Sequence, residues 1–134
     1  MYKGLILALT ALSGTAPLSA SADAVSVLQA RYQSQGAARF DAAAGAKLWQ
    51  QEFIDTKSGQ RRSCTLCHTE RLRNPGKHAK TGKPIEPMAP AINPQRLTDE
   101  AKIEKWLKRN CKWTLGRECT AQEKGDVLSF IQHQ

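Results

Sequence analysis

The sequence is poor in aromatic residues and has no long apolar run, no strand-like alternation and no internal repeat. Aromatic residues make up only 6% of the 134, so aliphatic side chains must fill most of the core, unless a non-protein apolar group occupies part of it. The most apolar stretch, residues 5–12, is well short of the ~20 residues that a membrane-spanning helix needs. With 40% hydrophobic and 24% charged residues, the composition excludes disordered, collagenous and multi-span membrane proteins and predicts one small domain. Since the chain has helical patterns but no strand-like alternation, we predict that this domain is all-α.

Acidic residues are scarce beside basic ones. The chain has 20 Lys and Arg against 12 Asp and Glu, which gives a formal charge of +8. A cationic surface of this kind steers an acidic redox partner, whereas nucleic-acid binding is disfavoured because no aromatic residues are interleaved with the charges. The excess of basic residues is concentrated between residues 61 and 83. This stretch has one acidic residue, Glu70, and seven basic ones: Arg61, Arg62, Arg71, Arg73, Lys77, Lys80 and Lys83.

The first 22 residues have the pattern of an export signal. Lys3 precedes the apolar stretch 5–12, and Ala20-Ser21-Ala22 supplies a cleavage site of small residues. We therefore predict a signal peptide at residues 1–22, a mature domain at residues 23–134, and an oxidising, periplasmic location. No stable membrane insertion is expected after cleavage, since the apolar stretch is too short.

Four segments have the features of helices. Apolar residues at helical spacing predict helices over Ala24–Ser34 and Phe40–Phe53. Thr98 is a good N-cap for a third helix of about eleven residues, because two acidic residues follow it in the first turn. A capping box at Thr120–Glu123 predicts the last helix.

A proline-rich loop precedes the third helix. Residues 74–94 hold five prolines and two glycines, too many for a helix or a central strand. A loop of about twenty residues without regular structure is uncommon in a compact domain unless it binds something. Its length therefore marks the loop as a candidate part of a binding site.

The motif CTLCH at residues 64–68 is the attachment sequence of c-type haem. Two thiols three positions apart can each add to a haem vinyl group, and the imidazole that follows then ligates the iron from the proximal side. A zinc site is disfavoured because Cys111 and Cys119 lie too far apart for a ligand pair, and a thioredoxin-like pair would need a βαβ unit. We predict one covalent haem c, held by Cys64, Cys67 and His68.

The remaining cysteines, Cys111 and Cys119, stand between the last two predicted helices. Two free thiols outside the cytoplasm would be exposed to oxidants, and a short turn can bring these two positions together. We predict a structural disulfide, with a redox-active pair coupled to the haem as the alternative.

Three side chains could approach the opposite face of the haem. Met88 is the default ligand of an electron-transfer cytochrome, because a thioether favours ferrous iron, although it could also pack against the porphyrin. Asn93 offers an amide oxygen, an unusual and weak iron ligand, or else starts the turn before the third helix. His78 lies between lysines and is better explained as part of a solvated basic loop.

These features together resemble the high-spin monohaem cytochromes of the sphaeroides haem protein (SHP) type. The resemblance covers about residues 40–134, nearly all of the predicted mature domain. Beyond the haem motif, it rests on the proline-rich loop and the late cysteines, in the segments His78–Lys83, Ile85–Pro90, Asn93-Pro94, Lys105-Trp106, Arg109–Cys111 and Leu115–Thr120.

The resemblance implies a class I cytochrome c helical fold around one haem, with a disulfide between Cys111 and Cys119. It also implies that Asn93, rather than Met88, ligates ferric iron and leaves on reduction. The ferrous iron would then bind small diatomic ligands such as oxygen or nitric oxide. This is chemically coherent, because ferric iron is the harder acid and tolerates an amide oxygen. The electron donor that the resemblance implies is a dihaem c-type cytochrome.

Two functions follow from the sequence. The first is a ligand-binding haem protein that would convert bound oxygen or nitric oxide with electrons from its partner, or only bind it. The second is a plain electron carrier with His68 and Met88 on the iron. The resemblance favours the first, and a ferrous absorption spectrum distinguishes them, since five-coordinate high-spin and Met-ligated low-spin iron absorb differently.

Overall fold

The computed structural model describes Met1 and residues 23–134. The predicted export signal, apart from Met1, lies outside the described residues. In the described part, two antiparallel pairs of two-residue strands join β1 (Phe53–Ile54) to β2 (Arg61–Arg62) and β3 (Gly76–Lys77) to β4 (Pro84–Ile85). The helices of this part are α1 (Ala24–Ser34), α2 (Ala42–Gln50), α3 (Thr65–His68), α4 (Glu100–Leu115) and α5 (Ala121–Gln132).

Side-chain caps fix where the long helices begin. Asp23, Asp41 and Asp99 each accept a hydrogen bond from a backbone N–H in the first turn of α1, α2 and α4. The capping box predicted for α5 is confirmed, because Thr120 and Glu123 each bond the other's backbone N–H. None of the helices in residues 23–134 is long and apolar enough to cross a membrane.

Two of the predicted helices have different bounds in the structure. The N-cap of α4 is Asp99 rather than Thr98, and α4 has sixteen residues instead of about eleven. It continues through Cys111 because no helix breaker comes before Gly116, whose left-handed φ of 74° ends the helix. The helix predicted over Phe40–Phe53 is shorter, since Phe53 pairs with Arg62 in the β1–β2 hairpin.

The proline-rich loop is ordered by local pairing rather than left without structure. Its first half forms the β3–β4 hairpin, and Met88 and Ala89 each donate a backbone hydrogen bond of 2.9 Å to the Leu72 carbonyl. Gly76 is required at the base of the hairpin, because a Cβ there would lie 2.0 Å from the Cys67 carbonyl oxygen. The hairpin therefore packs directly against the haem motif.

Helices α2 and α5 cross in close contact, and this crossing centres the core. At Gly45 the two backbones touch, since a Cβ would lie 2.0 Å from the Asp126 carbonyl oxygen. One apolar cluster lies between α1, α4 and α5, and a second lies beneath the haem motif. The first contains Val25, Leu28, Tyr32, Ile103 and Leu128, and the second Trp49, Leu72, Ala89, Val127 and Ile131.

Candidate haem site

The two cysteines of the motif lie at either end of the first turn of α3, and both carry free thiols. Cys64 packs against the cluster beneath the motif, and this burial raises the pKa of its thiol to about 11. Cys67 is half-buried, and its Sγ accepts a hydrogen bond from the Ala79 N–H at 3.3 Å. Both sulfurs are thus held on one short helix, at the spacing that thioether attachment requires.

His68 is prepared to act as a neutral ligand. Burial is the main cause that lowers the pKa of its imidazole to about 4, and the positive charge of Arg96 adds to the effect. The ring is therefore uncharged at neutral pH. Its Nδ1 is buried and has no hydrogen-bond partner among the described residues. The Trp49 ring packs against it at a centroid distance of 5.5 Å. The imidazole is therefore positioned by packing, with a buried nitrogen left unsatisfied.

The backbone turns sharply just after this histidine. Thr69 has a φ of 65°, an unusual value for a β-branched residue. Its carbonyl accepts a hydrogen bond of 3.1 Å from Trp49 Nε1, and its hydroxyl donates to the Arg71 carbonyl. Trp49 thus fixes both the histidine ring and the turn that follows it.

These residues fit a covalent haem better than a bare metal ion. Cys111 and Cys119 are bonded to each other, with a Cα–Cα distance of 5.5 Å, so they cannot complete a zinc site with the motif. Within residues 23–134, no group of three or more His, Cys, Asp or Glu side chains could hold a metal ion. Two free thiols and a neutral imidazole are the groups that haem c attachment requires.

A cavity of about 710 Å³ opens beside the motif. It is cationic and partly apolar: Leu66 from the motif is 52% exposed, and Trp113 from α4 is 38% exposed. Large apolar side chains left open to solvent mark a surface that a partner group covers. The residues that line this cavity are Gln60, Arg61, Arg62, Leu66, Ala79, Lys80 and Trp113.

Helix α4 carries an exposed asparagine, Asn110, that the sequence analysis missed. Trp106, Asn110 and Trp113 follow one another at intervals of four and three residues, so they share one face of the helix. All three are exposed and border the buried side of α4, since the buried Ile103 lies seven residues before Asn110. This spacing of two tryptophans around an amide is the signal that could have identified Asn110 in the sequence.

Met88 is partly buried beneath the haem motif. Its side chain packs against the cluster that contains Trp49 and Leu72, and Trp49 in turn contacts the His68 ring. The structure therefore brings Met88 to the core beneath the motif.

Asn93 lies in the same segment as Met88, and both ends of its amide are engaged. Its Nδ2 donates to Glu86 Oε2 at 3.1 Å, and its Oδ1 accepts from the Gln95 N–H at 3.2 Å. Its backbone N–H donates to the Ala89 carbonyl at 2.9 Å. Asn93 lines a separate cleft of about 260 Å³ and does not line the cavity beside the motif.

His78 is exposed at the tip of the β3–β4 hairpin. Its Nδ1 accepts hydrogen bonds from the backbone N–H groups of Lys80 and Thr81, at 3.3 and 3.1 Å. The imidazole thus stabilises the turn of a solvated loop.

The disulfide joins the end of α4 to the start of α5. Cys111 was expected after the third helix, but it lies within α4, because the helix continues four residues past it. Cys111 is buried and follows Asn110 directly. The bond therefore anchors the part of α4 that carries the exposed asparagine.

Residues 35–131 match a family model described as a domain of unknown function, DUF1924. The chain is 41% identical over 110 residues to the cytochrome c-type protein SHP of Cereibacter sphaeroides, a match that covers 80% of this chain and 81% of SHP. It is 35% identical over 85 residues to cytochrome c'' of Methylophilus methylotrophus, covering 63% and 59% of the two chains.

Two solved structures share the fold. Oxidised SHP, described as an oxygen-binding cytochrome c, superimposes with a TM-score of 0.74 at 37% identity and covers 84% of this chain and 98% of its own. Oxidised cytochrome c'' of Methylophilus methylotrophus gives 0.71 at 28% identity, covering 83% and 94%. The solution structure of that protein was related to haem-ligand detachment. The all-α, class I cytochrome c-like fold is thereby confirmed. The chain belongs to the DUF1924 family and is a c-type cytochrome of the SHP kind, with a covalently bound haem c as its cofactor.

Proposed function

We propose that this protein is an exported cytochrome that accepts electrons from an acidic partner and binds a small diatomic ligand, such as oxygen or nitric oxide. Its iron would carry a weak distal ligand that leaves on reduction. The relationship to SHP, an oxygen-binding cytochrome, supports ligand binding, and the study of ligand detachment in cytochrome c'' supports the release step. The haem, when bound, supplies an iron that changes its ligand preference with its oxidation state.

The motif residues have distinct tasks in this proposal. Cys64 and Cys67 would hold the haem through thioethers, and His68 would be the proximal ligand. The neutral imidazole of His68 supports this role, because an unprotonated ring nitrogen is the group that binds iron. The Trp49 ring keeps that imidazole in one orientation.

The observation that carries the proposal is the position of Asn110 on α4. It stands between two exposed tryptophans, on a helix whose Trp113 borders the cavity beside the motif. An amide there would be a weak ligand for ferric iron on the face away from His68. Asn93, which the sequence resemblance assigned, is the second candidate; its engaged amide and its contact with the Met88 segment disfavour it. If Met88 ligated the iron instead, the protein would be a plain electron carrier.

The charge distribution supports an acidic redox partner, such as a dihaem c-type cytochrome. Of the seven basic residues between positions 61 and 83, all but Arg62 are exposed. We further propose that residues 1–22 are a signal peptide and that the protein works in the periplasm. The Cys111–Cys119 bond supports an oxidising compartment.

Three matched alanine variants test the proposed coordination. Asn110→Ala should make ferric iron five-coordinate or water-ligated and speed ligand entry to the ferric protein, because no amide must be displaced. Nitric oxide binding to the ferrous protein should change much less, since the amide has already left. Asn93→Ala and Met88→Ala should leave the ferric absorption spectrum unchanged.

The same series can contradict each part of this assignment. If only Asn93→Ala changes the ferric spectrum, the weak ligand is Asn93, and our choice of Asn110 is wrong. If only Met88→Ala does so, by abolishing a low-spin spectrum, the protein is an ordinary electron carrier and the proposed function is wrong.

A further inference from the structure

Trp113 is the one aromatic residue among the described residues that line the cavity beside the motif. The residue is 38% exposed, and the cavity is the space that its side chain borders. Trp113 stands three residues after Asn110, so the two side chains are neighbours on the same face of α4. A ligand that replaced the Asn110 amide would therefore bind beside the indole ring of Trp113.

Arg62 holds Trp113 at both its backbone and its ring. The Nη1 of Arg62 donates to the Trp113 carbonyl at 2.8 Å, and its guanidinium carbon lies 4.8 Å from the centre of the Trp113 ring. The arginine is itself fixed, because its Nη2 is ion-paired with Asp55 and its side chain is only 19% exposed. The indole ring therefore has little freedom to turn aside when a ligand approaches.

Trp106, on the same helix, is held less firmly. It is 46% exposed, and its ring stacks on Arg109, with 5.0 Å between the guanidinium carbon and the ring centre. Arg109 is exposed, whereas Arg62 is largely buried and ion-paired. Trp106 also does not line the cavity beside the motif. Helix α4 thus carries one fixed tryptophan at the cavity and one exposed tryptophan that does not border it.

We propose that Trp113 is a specificity-determining residue, a fixed side chain that restricts the ligand site to small molecules of diatomic size. This inference rests on the proposed function, with Asn110 as the ligand that leaves. A ring that cannot move excludes a wider molecule by steric clash. A diatomic ligand is admitted, because it needs little more room than the amide group that it replaces.

The experiment compares two ligands that bind ferrous haem through a carbon atom but differ in width, carbon monoxide and tert-butyl isocyanide. Their association rates with the reduced haem protein are measured by stopped-flow absorption, and the ratio of the two rates is the size selectivity. Trp113→Ala should lower this ratio by about tenfold or more, because the isocyanide no longer meets the ring. Trp106→Ala removes an equally large side chain from the same helix and should change the ratio by less than about twofold.

Arg62→Lys tests whether the arginine keeps the ring in place. Lysine retains the positive charge beside Asp55, but it lacks the planar group that bonds the Trp113 carbonyl and stacks on the ring at once. The variant should lower the size selectivity by about threefold in the otherwise wild-type protein, because the ring is then free to move. It should have no further effect in the Trp113→Ala protein, which has no ring to hold.

An unchanged ratio in Trp113→Ala, or an equal loss in Trp106→Ala, would overturn the inference. So would an Arg62→Lys effect that is the same with and without the Trp113 ring. Should Trp113→Ala not fold, Trp113→Leu tests the same claim, since it removes the ring with a smaller loss of volume. Failure of the proposed function looks different: the wild-type ferrous protein would be low-spin and bind neither ligand, which overturns both.

Discussion

Glu104 joins three helices through its two carboxylate oxygens. Tyr32 of α1 donates its hydroxyl to Oε1, and Lys124 of α5 donates to Oε2 at 2.8 Å. Burial alone would raise the pKa of Glu104, but the hydrogen bonds from Lys124 and Tyr32 outweigh it and lower that pKa below 4.5. Burial, reinforced by Glu104, holds the pKa of Tyr32 well above its usual range. This group fastens α4, the helix that carries Asn110.

The lowered pKa predicts the pH range in which Glu104 stabilises the fold. A carboxylate whose pKa is lower in the folded state stabilises above its unfolded pKa, near 4.5, and loses that effect as pH falls through the folded value. Glu104→Gln should therefore cost about 1–3 kcal/mol at pH 7, and much less in acid below both pKa values. Urea unfolding of both proteins, at pH 7 and in acid, measures this difference in the free energy of unfolding.

Glu100→Gln is the matched control on the same helix. Glu100 pairs with Arg31 at 2.9 Å, but both side chains are well exposed, at 38% and 49%. Such a pair contributes about 0–1 kcal/mol. If the two variants lose the same free energy of unfolding, the role given to Glu104 is contradicted. A loss in Glu104→Gln that persists unchanged in acid would contradict it as well.

The residues of the haem motif could be predicted from sequence because their chemistry depends on spacing alone. Asn110 was not distinguished in that way, because the predicted helix ended before it, so its spacing from Trp106 and Trp113 carried no meaning. Its significance depends on where α4 packs, which brings Trp113 to the cavity beside Leu66.

At the scale of elements, two glycines allow close packing of α5, one against α2 and the other against Phe40 just before α2. A Cβ on Gly45 would lie 2.0 Å from the backbone oxygen of Asp126, which cannot move without shifting α5. A Cβ on Gly125 would lie 2.1 Å from the ring of Phe40, a half-buried side chain that can rotate. The two positions thus offer a direct comparison of backbone and side-chain crowding.

Gly45→Ala should destabilise the protein by about 3 kcal/mol, because the two helices must separate. Gly125→Ala should cost less than about 1 kcal/mol, since the gain in helix propensity offsets the displacement of Phe40. Thermal unfolding of the haem protein, followed by far-ultraviolet circular dichroism, gives both values. Equal stability of the two variants would contradict a backbone contact at Gly45.

Element boundaries were predictable only where caps were unambiguous. The capping box of Thr120 fixed the start of α5, whereas Thr98 and Asp99 are both good caps and only packing selects Asp99. The two hairpins were not foreseen, because strands of two residues are too short to show alternation. They form because Gly59 and Gly82 adopt positive φ values of 71° and 68° in the turns.

At the scale of the whole molecule, the basic residues between positions 61 and 83 surround the haem motif. Lys77 and Lys80 are exposed on the β3–β4 hairpin, next to Cys67. Long-range attraction by such charges raises the association rate of an acidic partner and weakens with salt. This surface was predictable from composition, because it does not depend on packing.

Charge reversal on the hairpin should slow electron transfer from an acidic donor cytochrome. Lys77→Glu together with Lys80→Glu should reduce the association rate by about tenfold or more at low salt, while changing the dissociation rate far less. Lys47→Glu on α2, an exposed lysine outside this segment, is the control. Stopped-flow rates that are independent of salt, or equal effects at Lys47, would refute the steering role.

The central claim is that reduction frees the iron for a small ligand, and one measurement tests it most directly. The wild-type protein is reduced without oxygen, and its absorption spectrum is recorded before and after nitric oxide is added. We predict a five-coordinate, high-spin ferrous spectrum that changes completely with nitric oxide at close to one equivalent per haem. A six-coordinate, low-spin ferrous spectrum that is unchanged by the ligand would contradict the account.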